Sequence, residues 1–290
     1  MKFQLLATCI TATLCSSILG EFTIDNNLLQ EMEEVGAKGT VSALVFLEEQ
    51  VDIKSLSDSI SQARMRHVDR HQLVVETLQA TAHSSQDSIL ASLQTQRGVL
   101  EVTPFWISNV IRVDAPPAVI RQLANRNDVE HIYLNYGIEL ITPVTTGSTD
   151  SGNNRVGVEP GITAIRATEA WAMGYTGDGV LVATLDTGVD GGHEALASNW
   201  AGLRPEYAGH PEWAFLDPYT YNHNFPFDSG SHGTHTMGTV CGSAQGIGVA
   251  PDAHWITSAG IDRSSIGETV ADAIETFQWF MDPDGNPATA

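Results

Sequence analysis

Lysine is almost absent from this chain. Lys2, Lys38 and Lys54 are its three lysines, and arginine raises the basic total only to 14, against 35 acidic residues and a net charge of −21 over 290 positions. A surface of that sign repels phosphate backbones, which argues against nucleic acid as a partner. Cysteine is scarce as well, with only Cys9, Cys15 and Cys241. Long apolar runs are missing after the first twenty residues, so no later segment reads as a membrane span.

The first twenty residues have a different character. Lys2 is followed by an apolar run from Phe3 to Leu19, and Cys15 and Ser17 are small side chains suited to a cleavage site near residues 17–20. Residues 1–20 therefore read as a signal peptide, and the chain is expected to be secreted and extracellular, without a membrane attachment once that segment is removed. Cys9 and Cys15 leave with it. Cys241 then stands alone, which rules out an internal disulfide and suggests a small buried hydrophobe.

A hydrophobic content of 42% is enough for a real core, and 290 residues suggest two domains. Residues 38–140 read as a small α+β unit of order strand, helix, strand, helix, strand. Its strands are Thr40 to Leu47, Trp106 to Val113 and Glu130 to Leu134, and Val68, Val75, Leu78 and Ala82 recur at helical spacing. Asp114 is the expected cap of a short helix through Val119 and Leu123, with Pro116 and Pro117 in its first turn. Residues 141–160 are rich in Thr, Ser, Gly and Asn, the composition of an exposed linker open to proteolysis.

From residue 161 to 290, strands and helices alternate, which predicts an α/β fold with a parallel sheet and crossover helices. Thr168 to Met173 fits a short helix ending at Gly174. Val180 to Leu185 reads as a buried strand leading to Asp186, and Ala253 to Ala259 as another. Ser265 and Glu268 have capping-box spacing ahead of a helix through Val270, Ile274 and Phe277. The loop before His232 holds Trp213, Tyr219, Tyr221 and Phe225, which either wall a cleft or pack in the ordinary way.

Asp186 and His232 are the candidate catalytic residues. An imidazole takes a proton from a hydroxyl near neutral pH if an acceptor such as a buried carboxylate holds its other nitrogen in the right tautomer. Taken singly, Asp186 is an ordinary residue of a strand-terminal turn and His232 an ordinary residue at a helix start. The surroundings of His232 shift that balance. HGTHTMGTV has poor helix propensity, and Gly233 and Gly238 would let a neighbouring backbone come close, as for a helix threaded through a core with its histidine at the working end.

Leu185-Asp186-Thr187-Gly188-Val189, the stretch His232 to Thr239 (HGTHTMGT) and Gly248-Val249-Ala250-Pro251 together resemble the subtilisin-like serine peptidases, the subtilases. The run AIRATEAWAMGYTGDGVLVATLDTGVD looks most like the bacillopeptidase F type. The resemblance implies a secreted serine endopeptidase precursor acting on peptide or protein substrates. It makes His232 the general base, Asp186 its orienting partner, and His193 and His235 structural hydrogen-bonding residues. It also implies that residues 38–140 are an inhibitor-type propeptide, a folding chaperone and then an intramolecular inhibitor, with processing between about Tyr136 and Gly161. No cofactor is required for that chemistry, and a structural calcium of the kind many subtilases bind cannot be placed.

The family's oxyanion asparagine and its G-T-S-M-A nucleophile motif do not occur in the 290 residues. Ser231 in SGSHG and Ser243 in CGSAQG lack the pattern of a nucleophile elbow. The catalytic fold is therefore expected to be incomplete here, and the chain as given to be close to inert. Other readings are weaker. Asp186-Thr187-Gly188 lacks the second strand-borne DTG or DSG of an aspartic protease, because Asp228-Ser229-Gly230 has no apolar strand before it. His232 and His235 lack the glutamate of a zinc peptidase helix. The alternative of another class is a non-catalytic chain whose propeptide region inhibits or chaperones a separate subtilase.

Overall fold

The computed structural model describes residues 23–140, 157–220, 223–244, 246–263 and 267–289. The expected signal peptide and most of the expected linker lie outside the described residues, as do Tyr221 and Ser265. The chain divides into two compact units, one comprising residues up to Tyr136 together with those from Gly285, the other Gly137–Asp284.

The first unit is built on a four-stranded antiparallel sheet of order β2-β3-β1-β4. β1 (Val41–Leu47) is central and mostly buried, which is why its sequence is a nearly unbroken apolar run. β2 (Glu101–Phe105), β3 (Val110–Ala115) and β4 (Val129–Leu134) complete the sheet. Leu28 of α1 (Asn26–Val35) and Ile120 of α4 (Pro117–Leu123) close over Val45, Ile111 and Ile132 in the core. α2 (Ile53–Ala63) and α3 (His67–Leu93) lie between β1 and β2. Along α3 the buried Val75, Leu78, Ala82, Gln86, Ile89 and Leu93 recur every three or four residues.

Two expectations need correction here. Trp106 to Val113 is not one strand, because residues 106–109 turn the chain between β2 and β3. Asn109 makes that turn with a positive φ of 42°. It is held by the buried Gln86, whose Nε2 donates to its Oδ1 at 2.9 Å. Asp114 is not a helix cap; it sits within β3, accepting bonds from Ser42 Oγ and from Arg112 Nη2 at 2.8 Å. Pro116 occupies the cap position instead, since a residue preceding a proline is driven to extended backbone and the helix cannot start before Pro117.

The second unit is α/β. After α5 (Pro160–Ala164) and α6 (Ala167–Ala172), which closes at Gly174 with φ 91°, come β5 (Leu181–Asp186), β6 (Phe215–Leu216), α7 (His232–Cys241), β7 (His254–Ala259) and α8 (Val270–Met281). The three strands pair in parallel in the order β5-β7-β6, and α7 is the crossover between β6 and β7. β7 is the buried member, packed with Trp200, Phe215, Met237 and Cys241. β5 was expected to be buried but lies at the sheet edge, with Leu181 44% exposed.

α8 carries a capping box, but it lies four residues later than the sequence pattern suggests. Thr269 is the cap, its amide and hydroxyl both bonded to Asp272 at 2.8 Å, and Glu268 instead accepts from the amide of Arg263. Burial pushes the Cys241 thiol up to about 11, which fits the reading of an inert small hydrophobe. Among the described residues no helix is long and apolar enough to cross a membrane.

Candidate active site

β5 delivers Asp186 at its last residue, and the chain turns at once through Thr187 and Gly188. Gly188 has φ 98°, and a side chain there would lie 2.1 Å from the carbonyl oxygen of Phe227. α7 begins at His232, and a side chain on the next residue, Gly233, would lie 1.9 Å from the Gly188 carbonyl oxygen. Gly233 lets the start of the helix lie directly against the turn that follows Asp186, and Gly188 lets that turn pass close to the Phe227 backbone. Gly238 has no such role, since a methyl there would meet only Ile247 Cδ1, at 3.9 Å.

Close approach has a chemical result. Nδ1 of His232 lies 2.8 Å from Oδ1 and 3.0 Å from Oδ2 of Asp186, across 46 positions of sequence. A carboxylate only accepts, so the proton between them belongs on Nδ1, and Nε2 keeps its lone pair. Asp186 also accepts from the Thr187 amide at 2.7 Å and from Thr236 Oγ1 at 3.1 Å, which fixes both of its oxygens. Its side chain is 11% exposed, whereas that of His232 is 29% exposed and within reach of a reactant. Such an arrangement can draw a proton from a hydroxyl and hold the resulting cation against a fixed negative charge.

The other sequence candidates are placed elsewhere. Ser243 Oγ donates to the Ala195 carbonyl at 3.0 Å, and His193 Nδ1 accepts from the Ala195 amide at 3.2 Å, a structural bond within its loop. Among the described residues, no three His, Cys, Asp or Glu side chains are grouped as a metal site would need. A cleft of about 1280 Å³ runs along α7 past Ile162, Phe225, His235 and Val249, and its walls include neither Asp186 nor His232. Phe225 and, two residues on, Phe227 are thus loop aromatics that wall a cleft. Trp213 stacks on His210 at 3.9 Å, and Tyr219 donates to the Gly260 carbonyl at 2.8 Å.

Sequence reasoning passed over the buried network that supports this loop. Asp217 is almost fully buried and accepts from Arg263 Nη1 at 3.1 Å, His223 Nδ1 at 2.8 Å and Thr220 Oγ1 at 2.6 Å. Burial pushes its carboxyl up, but bonds from Thr220 and Arg263 more than offset this and leave it below the usual carboxylate range. The Arg263 guanidinium also lies 4.7 Å above the ring of Phe227, tying the loop before α7 to the segment after β7. A charged pair so far apart in sequence leaves no local pattern to read.

Residues 177–287 match the model of the subtilase family. Bacillopeptidase F of Bacillus subtilis (strain 168) is 32% identical over 250 residues, which cover 81% of this chain and 17% of that protein. Neuroendocrine convertase 2 of Bos taurus is 33% identical over 138 residues, 45% of this chain and 20% of that protein. The chain thus spans about a fifth of the length of these curated relatives. Among solved structures, fervidolysin from Fervidobacterium pennivorans, described as a keratinolytic enzyme related to subtilisin, aligns with 84% of this chain and 34% of its own at 19% identity and a TM-score of 0.47.

Proposed function

We propose that this chain is the amino-terminal part of a secreted serine endopeptidase of the subtilase type, in which His232 acts as general base and then general acid while Asp186 orients it and balances its charge. The observation that carries the reading is the contact of 2.8 Å between His232 Nδ1 and Asp186, made by the two residues at which the family's motifs coincide. The attacking serine and the oxyanion donor come from polypeptide beyond residue 290. Among the described residues β5 is paired on one side only, and such an edge can take up a further strand, which supports this reading.

In the same reading, residues 38–140 are the propeptide, and the processing site lies within the linker at 141–160. The chain just past the first unit supports it. The Ile138 amide donates to the Glu268 carbonyl at 2.8 Å, and Gly137 pairs with Thr269 as in an antiparallel bridge, so this segment is held in extended form beside the segment after β7. An extended peptide held by backbone bonds is how a product or inhibitor would lie.

The test is expression of the chain together with its native downstream sequence. The parent protein is expected to cleave itself between Tyr136 and Gly161 and to hydrolyse peptides. His232→Ala should abolish both, and Asp186→Asn should lower turnover by roughly 10⁴, the cost of the wrong imidazole tautomer. Normal processing in His232→Ala would refute the proposal.

A further inference from the structure

We propose that Thr187 and Asp228 form a positioning clasp that hangs the helix carrying His232 from the residue next to Asp186 and so fixes the distance between the two. The inference rests on the reading of Asp186 and His232 as the acid–base half of a peptidase site, and goes beyond it by assigning what holds them together.

The first-turn amides of a helix need acceptors, normally from a side chain at its own cap. Ser231, at the cap of α7, supplies none. The acceptors come from elsewhere: the Gly233 amide donates to Thr187 Oγ1 at 2.9 Å, and the Thr234 amide to Asp228 Oδ2 at 2.9 Å. The Thr187 hydroxyl has one proton, and it goes to Asp228 Oδ1 at 2.6 Å, which leaves a lone pair aimed at the helix. Thr187 is fully buried, and its carbonyl is pinned from the other side by the amide and hydroxyl of Ser229, each at 2.9 Å.

These bonds close a ring. Asp186 is joined to Thr187 by the chain, Thr187 to Gly233 by a hydrogen bond, Gly233 to His232 by the chain, and His232 to Asp186 by the 2.8 Å contact. Four short links leave the imidazole little freedom to move away from its carboxylate. Asp228 anchors the ring. It also accepts from the Gly230 amide at 2.9 Å and from Thr234 Oγ1, so four donors fill about the four acceptor sites a carboxylate offers. With those sites taken, Asp228 positions groups and takes no part in proton transfer. Burial pushes its carboxyl up, yet the bonds from Thr187, Thr234 and the two amides more than offset that and keep it below the usual carboxylate range.

The 290-residue chain itself provides the test, by magnetic resonance with nitrogen-labelled histidine and by amide exchange, so no nucleophile is needed. Thr187→Val removes the hydroxyl at constant shape, and it should speed solvent exchange of the His232 Nδ1 proton and the Gly233 amide by about tenfold, the worth of one net hydrogen bond. Thr187→Ser restores the hydroxyl and should return both to within about twofold of the parent. If Thr187→Val does not fold, Asp228→Asn decides, because its amide sets a donor against the Thr234 N–H and should raise the same two rates. Unchanged rates in the folded variants overturn the clasp. Asp186→Asn separates the two ideas: it must abolish the protected Nδ1 proton, and a signal that survives it overturns the catalytic pair itself.

Discussion

Gly233→Ala sets local propensity against tertiary contact. Alanine in place of glycine within a helix stabilises it by about 1 kcal/mol, so the sequence of α7 alone predicts a gain. The backbone of Gly233 has no positive φ that alanine would find strained. The contact predicts the opposite. The added methyl would lie 1.9 Å from the Gly188 carbonyl oxygen, where ordinary contact begins at 3.4 Å, so helix and turn must part by about 1.5 Å. Such a displacement beside His232 carries its Nδ1 from 2.8 Å out of hydrogen-bond range of Asp186.

Overpacking of this kind costs about 1–3 kcal/mol, at the upper end when the obstacle is backbone, which leaves a net loss of about 2 kcal/mol. Gly238→Ala lies in the same helix and meets nothing closer than 3.9 Å, so it should keep the gain of up to about 1 kcal/mol. The two variants should therefore differ by about 3 kcal/mol and in sign, as read by urea unfolding followed through the fluorescence of the buried Trp200 and Trp255. Two alanine variants with equal effects would refute the reasoning.

Other features make separate predictions. Arg263→Met strips the buried Asp217 of its guanidinium and should cost about 3–5 kcal/mol, part of it regained when Asp217→Asn is added; a neutral single variant in the same unfolding assay would contradict the network. Cys241, with its thiol pushed up to about 11 and buried, should resist alkylation in the native chain at neutral pH and react after denaturation, as read by peptide mapping. Asp217 and Asp228 both have folded-state values below their unfolded ones. Their contribution is therefore present above the ordinary carboxylate range and is lost as pH falls through the folded values. The thermal midpoint should hold from neutral pH to about 5 and drop below about 4, and a midpoint that rises on acidification would contradict this.

What could be read from the sequence follows from what is local. β7 and α8 were visible because apolar period and length are written in contiguous residues, and the alternation of strands and helices pointed to a parallel sheet. Asp186 and His232 stood out because strand end, glycine turn and helix start each leave a short signature. The edge position of β5 was hidden, because an apolar run is the same whether or not a neighbour covers it. Asn109 ended a run of strand-like residues through a left-handed turn held by Gln86, a partner 23 positions away. Thr187 and Asp228 were hidden for a similar reason: the hydrogen bonds that join Thr187 to Asp228 and to Gly233 span 41 and 46 positions, and nothing beside either residue announces the other.

The central claim is that Asp186 and His232 form the proton-handling half of a serine peptidase site, and labelling by a fluorophosphonate tests it most directly. In the protein carrying its native downstream sequence, the probe should attach to one serine beyond residue 290, and His232→Ala should reduce that labelling at least about a hundredfold, the lower end of the range for loss of a general base. Labelling that is unaffected by His232→Ala, or that falls on Ser231 or Ser243, would contradict it.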